Sequence, residues 1–422
     1  MLTYLLVLCV LGDIAVPHSE AGCLKTKPGL YSKGGGRKTP TVAPSADGAQ
    51  KIAKASNNFS QRLYREIALG SKNTIYSPLS IHTALSMTSL GAKGDTKTEM
   101  TSTLGLDVFT GEREPHQAYN DVIAQLNAAS NVTTILTANA IFINKLETVE
   151  SAFVRDVQNF YLSNVSTFDP HDPAGPERVI NEYVEYKTRG LIQNLVQPNV
   201  VTALTLMVLV NTVYFNGSWD RPFDKDRTQP ADFHTQQGTI QVDTMFDTRT
   251  MNIKRNFHGA DVGELTIGHG RFSVVIVLPH TVDGLADLEN ALTVPGRVEE
   301  LFQDLTPVRV NVSMPKVNIE STFMLSQPLI QLGMVKAFSP HEADFTGINR
   351  NGNIFIKEGF HQSTIEINEY GTVASAATAV VIEMRRQPPA ANATFQVDHP
   401  FLFLLTDNRL RSILFQGKFI QP

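Results

Sequence analysis

The chain has 422 residues, 42% of them hydrophobic and 18% charged, with a formal net charge of -5 from 36 basic and 41 acidic side chains. That balance gives no overall attraction to nucleic acid. No apolar run reaches the roughly 18 residues that a membrane-spanning helix needs, so neither nucleic acid nor membrane is expected as a partner.

In chain order, the first feature is an apolar run over residues 1–11, which reads as the core of a signal peptide occupying residues 1–21. No basic residue precedes it, and a buried N-terminal strand is the alternative reading. Six Asn-x-Ser/Thr sequons, at Asn58, Asn131, Asn164, Asn216, Asn311 and Asn392, are candidate glycosylation sites and point the same way. Together they predict a secreted, extracellular glycoprotein. With a leader removed near Ala15 or Ala21, at most Cys23 survives of the two cysteines, so the core rather than a disulfide must hold the fold. Residues 22–48 are rich in Gly, Pro and Ser and carry Lys25, Lys27, Lys33, Arg37 and Lys38 with no acid before Asp47. This basic arm is either a solvated tail or a contact for sulfated polysaccharide.

From residue 49 to 422 the pattern alternates without a linker, so a single domain replaces the two that length alone suggests. Residues 50–69 place Ile52, Phe59, Leu63, Ile67 and Ala68 at helical spacing. Ser77-Pro78 opens a second helix, with serine as cap and proline in the first turn. Residues 117–126 form a third. Apolar runs at 136–143, 204–215, 271–278, 308–314, 401–405 and 413–419 read as strands, with Asn216-Gly217 read as a turn after the second. Gly268-His269-Gly270 is a hairpin turn, and Lys93-Gly94-Asp95 is a turn rather than an integrin tripeptide. Helices dominate the first half and strands the second, which predicts an α+β fold.

The last distinctive stretch is residues 369–386, a glycine followed by Thr, Val, Ala and Ser, then Val380-Val381-Ile382, then Arg385-Arg386. Its small side chains bury little area, while its β-branched residues favour extension. It reads as a long functional loop with strand propensity. Enzyme motifs are absent: there is no G-x-S-x-G, Walker loop, H-E-x-x-H or C-x-x-C, and His341-Glu342 lacks the second histidine of a zinc site. No catalytic activity, cofactor or metal is expected.

Three segments resemble the serpin family: residues 73–81 (Asn73 to Ile81), residues 209–219 ending at Trp219, and residues 395–401 with 413–418 at the C-terminus. The loop Thr378-Ala379-Val380-Val381-Ile382 is similar to that of antithrombin-like members. The resemblance implies three β-sheets and about nine helices, with an exposed reactive-centre loop at about residues 369–394. It also implies a monomer that a serine protease attacks as a substrate, forming an acyl-enzyme before the cut loop inserts as a strand. On this resemblance the hinge comprises Glu369, Gly371, Thr372, Ala374 and Ala376, while Tyr370 and Val373 depart from the usual charged residues. Ser77, Ser80, Asn211 and His361 match a sheet-opening cluster, and Lys316 and Glu369 match an ion pair beside Trp219. Family spacing puts the residue before the cleaved bond fourteen positions after Gly371, at Arg385, with Arg386 following. Arginine there implies inhibition of a trypsin-like protease through a covalent complex. A non-inhibitory binding or carrier serpin is the alternative.

Overall fold

The computed structural model describes residues 46–68, 70, 72–128, 132–372, 391 and 393–422. The first half runs α1 (Ala46–Ile67), β1 (Thr74–Tyr76), α2 (Pro78–Ser89), α3 (Gly94–Thr103), α4 (Glu114–Leu126), β2 (Thr133–Asn144), α5 (Ser151–Tyr161), β3 (Asn164–Phe168), α6 (Arg178–Lys187) and β4 (Met207–Ser218). The second half is strand-rich. It contains β5 (Gln229–Thr235), β6 (Gly238–Phe257), β7 (Ala260–Ile267), β8 (Phe272–Pro279), β9 (Thr306–Pro315), β10 (Val317–Met324), β11 (Ile356–Ile367), β12 (Gly371–Thr372), β13 (Ala393–Gln396), β14 (Phe401–Asp407) and β15 (Ser412–Phe419). Short helices α7 (Leu285–Ala291), α8 (Arg297–Glu300) and α9 (Ser326–Gln331) punctuate it. The α+β expectation and its nine helices hold among the described residues.

Helix α1 buries Ile52, Phe59 and Leu63 completely and begins at Ala46, inside the stretch read as the basic arm. Helix α2 is buried on every side, yet it carries Ser, Thr and His. A buried hydroxyl without a partner is costly. Here Thr83 and Thr88 donate to the carbonyls of Leu79 and Ala84, and His82 bonds the Leu104 carbonyl at 2.8 Å. Ser77 caps α2 in the extended conformation, as its sequence indicates.

One sheet has six strands in the order β10-β11-β4-β2-β3, with β12 added on β4. Its centre is unusual: β11 and β4 are parallel neighbours, paired from Ile356↔Met207 to Thr364↔Tyr214, while β10/β11 and β2/β4 are antiparallel. The inner face, with Leu209, Val213 and Phe215, joins the main core. The outer face packs Ala138, Ala140, Val208 and Val210 against Ile180 and Val184 of α6 as a second core. The remaining nine strands form one hydrogen-bonded network. The long strand β6 joins its two parts, pairing first with β5, then with β9, then with β7.

Asn216-Gly217 is not a turn. Strand β4 continues through both residues to Ser218, and Gly217 is required by close approach. A Cβ there would lie 2.7 Å from an Ile267 methyl and 2.8 Å from the Phe215 ring. Lys93-Gly94-Asp95 is the start of α3, with Lys93 at the cap position. Gly268-His269-Gly270 is the β7–β8 turn, with φ values of 63°, 59° and 74°.

Candidate functional site

A row of side chains crosses four strands at one level of the six-stranded sheet. Asn139 of β2 is opposite Asn211 of β4, Asn211 is opposite His361 of β11, and His361 is opposite Phe323 of β10. The α2 cap meets this row from below. The Ser77 amide donates to His361 Nε2 at 3.0 Å, so that nitrogen holds a lone pair and the ring proton sits on Nδ1. His361 Nδ1 then donates to Asn211 Oδ1 at 2.6 Å, and the Asn211 amide nitrogen donates to Ser80 Oγ and Asn139 Oδ1. Ser363 Oγ bonds His361 Nε2 at 2.8 Å. Burial pushes the His361 pKa down to about 3, so the ring is neutral and the network is intact at ordinary pH. Thus α2 bonds both sides of the parallel seam, through Ser77 to β11 and through Ser80 to β4 and β2.

At the upper end of the seam the chain leaves β11, turns through Asn368, Glu369 and Tyr370, and re-enters as β12. Gly371 pairs with Ser218 and Thr372 with Gly217, antiparallel to β4. Thr372 is wholly buried. Its hydroxyl accepts from the Gly217 amide at 2.9 Å and donates to the Gly217 carbonyl at 3.3 Å. Gly371, at φ 138°, lies so close to β4 that a Cβ would be 2.0 Å from the Gly217 carbonyl oxygen. Trp219 clamps the turn: its amide donates to the Tyr370 carbonyl at 2.9 Å and its indole N–H to the Asn368 carbonyl at 2.8 Å. The Phe223 amide donates to the Glu369 carbonyl at 2.8 Å, and the Phe223 ring stands edge-on to Trp219. Arg249 lies 3.7 Å over Phe223 and is held by Asp247.

Lys316 and Glu369 do meet, at 3.6 Å, with the lysine half-exposed and the carboxylate buried. Burial pushes the Glu369 carboxyl up, but hydrogen bonding from its own amide and the nearby Lys316 charge outweigh burial and hold its pKa below the usual value. Such a half-exposed pair is worth about 0–1 kcal/mol.

The residues singled out from sequence therefore gather in two places. Ser77, Ser80, Asn211 and His361 form the row under the seam, and Trp219, Lys316, Glu369, Gly371 and Thr372 form its upper end. Asn139, Ser363, Asn368 and Phe223 belong to these places and were not anticipated. Asn139 is the one legible from sequence, as a lone amide inside an apolar strand run. Ala374, Ala376, Arg385, Arg386, Asn131 and Asn392 lie outside the described residues.

The serpin (serine protease inhibitor) family model matches residues 54–422. Serpin B6 of Macaca fascicularis is 32% identical over 385 residues, covering 88% of this chain and 99% of that protein. The crystal structure of Serpin48 from the insect Tenebrio molitor matches with a TM-score of 0.79 and 33% identity, over 88% of this chain and 98% of that one. Human thyroxine-binding globulin, solved with its hormone, matches with a TM-score of 0.81 and 28% identity, over 89% and 99%. The chain belongs to the serpin family, and its fold is the serpin fold.

These relatives also correct one expectation. Serpin B6 is of an intracellular class of serpins, which overturns the reading of a secreted, extracellular protein. Among the sequons, Asn58 lies on α1, Asn164 on β3, Asn216 on β4 and Asn311 on β9, and Asn58, Asn164 and Asn311 are exposed.

Proposed function

We propose that this serpin inhibits a trypsin-like serine protease as a suicide substrate, and is not itself an enzyme. The supporting observation is the parallel seam. Two parallel neighbours leave a place for one antiparallel strand between them, and the chain leaving β11 already turns back antiparallel onto β4 at Gly371–Thr372. Extending that register sets Ala374 opposite Phe215, Ala376 opposite Val213, Thr378 opposite Asn211 and Ile382 opposite Met207. Phe215, Val213 and Met207 face the main core, so residues 372, 374, 376 and 378 must be small to pass inward, and they are Thr, Ala, Ala and Thr.

In this mechanism the protease attacks the bond after Arg385, whose guanidinium suits a carboxylate-based specificity pocket. The acyl-enzyme forms before Arg385 has left the site. Insertion then carries the protease the length of β4, about 3.3 Å per residue over its 12 residues, to the far end of the sheet. Displacement at that scale disrupts the oxyanion hole on which deacylation depends. The basic arm at Lys25, Lys27, Lys33, Arg37 and Lys38 is proposed as a contact for a sulfated polyanion. A carrier role is the second reading, favoured by the likeness to thyroxine-binding globulin and opposed by the small hinge residues. Incubation with a panel of trypsin-like proteases decides between them: SDS-resistant complexes support inhibition, and clean cleavage of the loop without complexes refutes it.

A further inference from the structure

One carboxylate, that of Asp247, is shared by three guanidinium groups. Arg249, buried beside it, takes Oδ2 at 2.8 Å and also donates to the Arg221 and Pro222 carbonyls. The Thr248 amide donates to Oδ1 at 2.7 Å. The Asp247 charge is thus matched before Arg221 and Arg227 are counted, yet both of them reach Oδ1, at 3.4 Å each. Their side chains are 54% and 48% exposed and make no other hydrogen bond among the described residues. Of the acids in the same segment, Asp220 turns to the His269 amide and Asp224 to the Asp226 amide, and neither pairs with an arginine. A buried carboxylate therefore holds two half-exposed forks side by side with donors to spare.

The two anchors of the loop bracket this pair. Arg249 lies over Phe223, whose amide holds the Glu369 carbonyl where the chain leaves β11. Arg249 is also opposite Val310 of β9, and Val310 is opposite Ala393 of β13. The returning chain therefore runs two strands away, about 10 Å. Tyr370 adds an exposed ring, in the turn that the Trp219 amide holds two positions before Arg221. Arginine and tyrosine are among the residues that most often carry the energy of an interface.

We propose that Arg221, Arg227 and Tyr370 form a second contact for the target protease, outside the cleaved loop, and that an acidic patch beside the protease's active-site cleft is what meets them. The proposal rests on the inhibitory reading above. It adds a selectivity that Arg385 cannot supply, since every carboxylate-based specificity pocket accepts arginine. A protease engaged at Arg385 lies over the surface between the two anchors, and its rim meets the pair there. The forks take carboxylates bidentately. A rim contact of this kind acts on the rate of encounter rather than on acylation or insertion.

The test compares the parent with the double variant Arg221→Gln, Arg227→Gln across a panel of trypsin-like proteases, with association rate and complex yield measured separately. For the protease that the parent traps fastest, the association rate is expected to fall about tenfold at low salt and to lose part of its salt dependence. Proteases that the parent traps slowly are expected to change little. The share of protease ending in SDS-resistant complex is expected to stay the same. Tm and Trp219 emission are expected to match the parent, since Arg249 and the Thr248 amide still satisfy Asp247. Unchanged rates with every protease that forms a complex overturn the contact and leave inhibition standing. A red-shifted Trp219 emission or a lower complex yield shows that the arginines only hold the hinge clamp, and overturns it as well. A loss confined to reactions with added sulfated polysaccharide assigns the pair to a polyanion and overturns the protease contact. If no protease forms a complex, the inhibitory reading fails and the contact fails with it.

Discussion

The sharpest test of the insertion mechanism is Thr372→Arg. Thr372 is fully buried opposite Gly217, and its hydroxyl makes two hydrogen bonds to that residue. An arginine cannot occupy this position, because its guanidinium would face the core without a carboxylate. The hinge must therefore withdraw from β4 in the uncleaved protein. That loses two hydrogen bonds at about 1 kcal/mol each, which lowers Tm by about a few degrees in a chain of this size. Insertion suffers far more. Burying an unpaired charge costs about 3–5 kcal/mol, which slows the step about 10²–10⁴-fold if it is felt in the transition state. Deacylation then wins, and the protein becomes a substrate. The assay is the fraction of protease in SDS-resistant complex against the fraction of cleaved serpin, with Thr372→Ser as the control that keeps the hydroxyl. Equal complex yields for Thr372→Arg and the parent would refute the placement of residue 372 in the inserted strand.

Four further outcomes follow from the same geometry. Gly371→Ala puts a Cβ 2.0 Å from the Gly217 carbonyl oxygen, so the hinge is expected to leave β4 and the single tryptophan, Trp219, to shift its emission to the red; an unchanged spectrum refutes the clamp. Cleavage of the loop is expected to raise Tm by roughly 10–15 °C, since an inserted strand adds on the order of ten backbone hydrogen bonds at about 1 kcal/mol each; no rise indicates a strand that does not insert. Mass spectrometry of the C-terminal fragment from the denatured complex is expected to start at Arg386, and a start at Gln387 moves the cleaved bond to Arg386. Stability is expected to fall as pH drops from about 6.5 toward 3. Burial pushes the His361 and His116 pKa values down to about 3 and that of His82 to about 4, so the unfolded chain takes up protons in this window and the folded one does not. Each histidine contributes about 1.4 kcal/mol per pH unit, and His361→Gln is expected to make the decline shallower; a pH-independent Tm between 6.5 and 4.5 refutes the neutral row.

How much of this was legible in the sequence differs by element. Helix α1 showed its periodicity, and α2 announced itself by the Ser77-Pro78 start. The continuous apolar runs gave β4, β8, β14 and β15 because strands covered on both faces need no alternation. Helix α3 was invisible, since Thr96, Met100 and Thr103 are its only buried residues and its composition is that of a loop. The misreading of Asn216-Gly217 has a clear cause. A turn motif and a site of close strand packing both select glycine, and only the neighbouring Ile267 and Phe215 distinguish them. At the site, Ser77, Ser80, Asn211 and His361 were found through resemblance, because nothing in their local sequence says that they meet. Asn139 carried a local signal, a lone amide in an apolar run, but its partner lies 72 positions away in the chain, and only the β2/β4 register puts the two amides together.

On the insertion mechanism proposed above, the row under the seam would let the sheet be firm before cleavage and still open once. An apolar interlock at this level would resist separation through its whole buried area, and an ion pair would carry a desolvation penalty in either state. A neutral hydrogen-bonded row has neither property. It needs only that every donor and acceptor keep a partner, because an orphaned buried group costs about 1–3 kcal/mol. In the register proposed for insertion, Thr378 would fall opposite Asn211, and its hydroxyl would arrive where the His361–Asn211 bond is broken. Threonine offers both a donor and an acceptor at that point. On that mechanism the seam would exchange hydrogen bonds along the row as it opens, while α2 would keep its hold on β11 through Ser77.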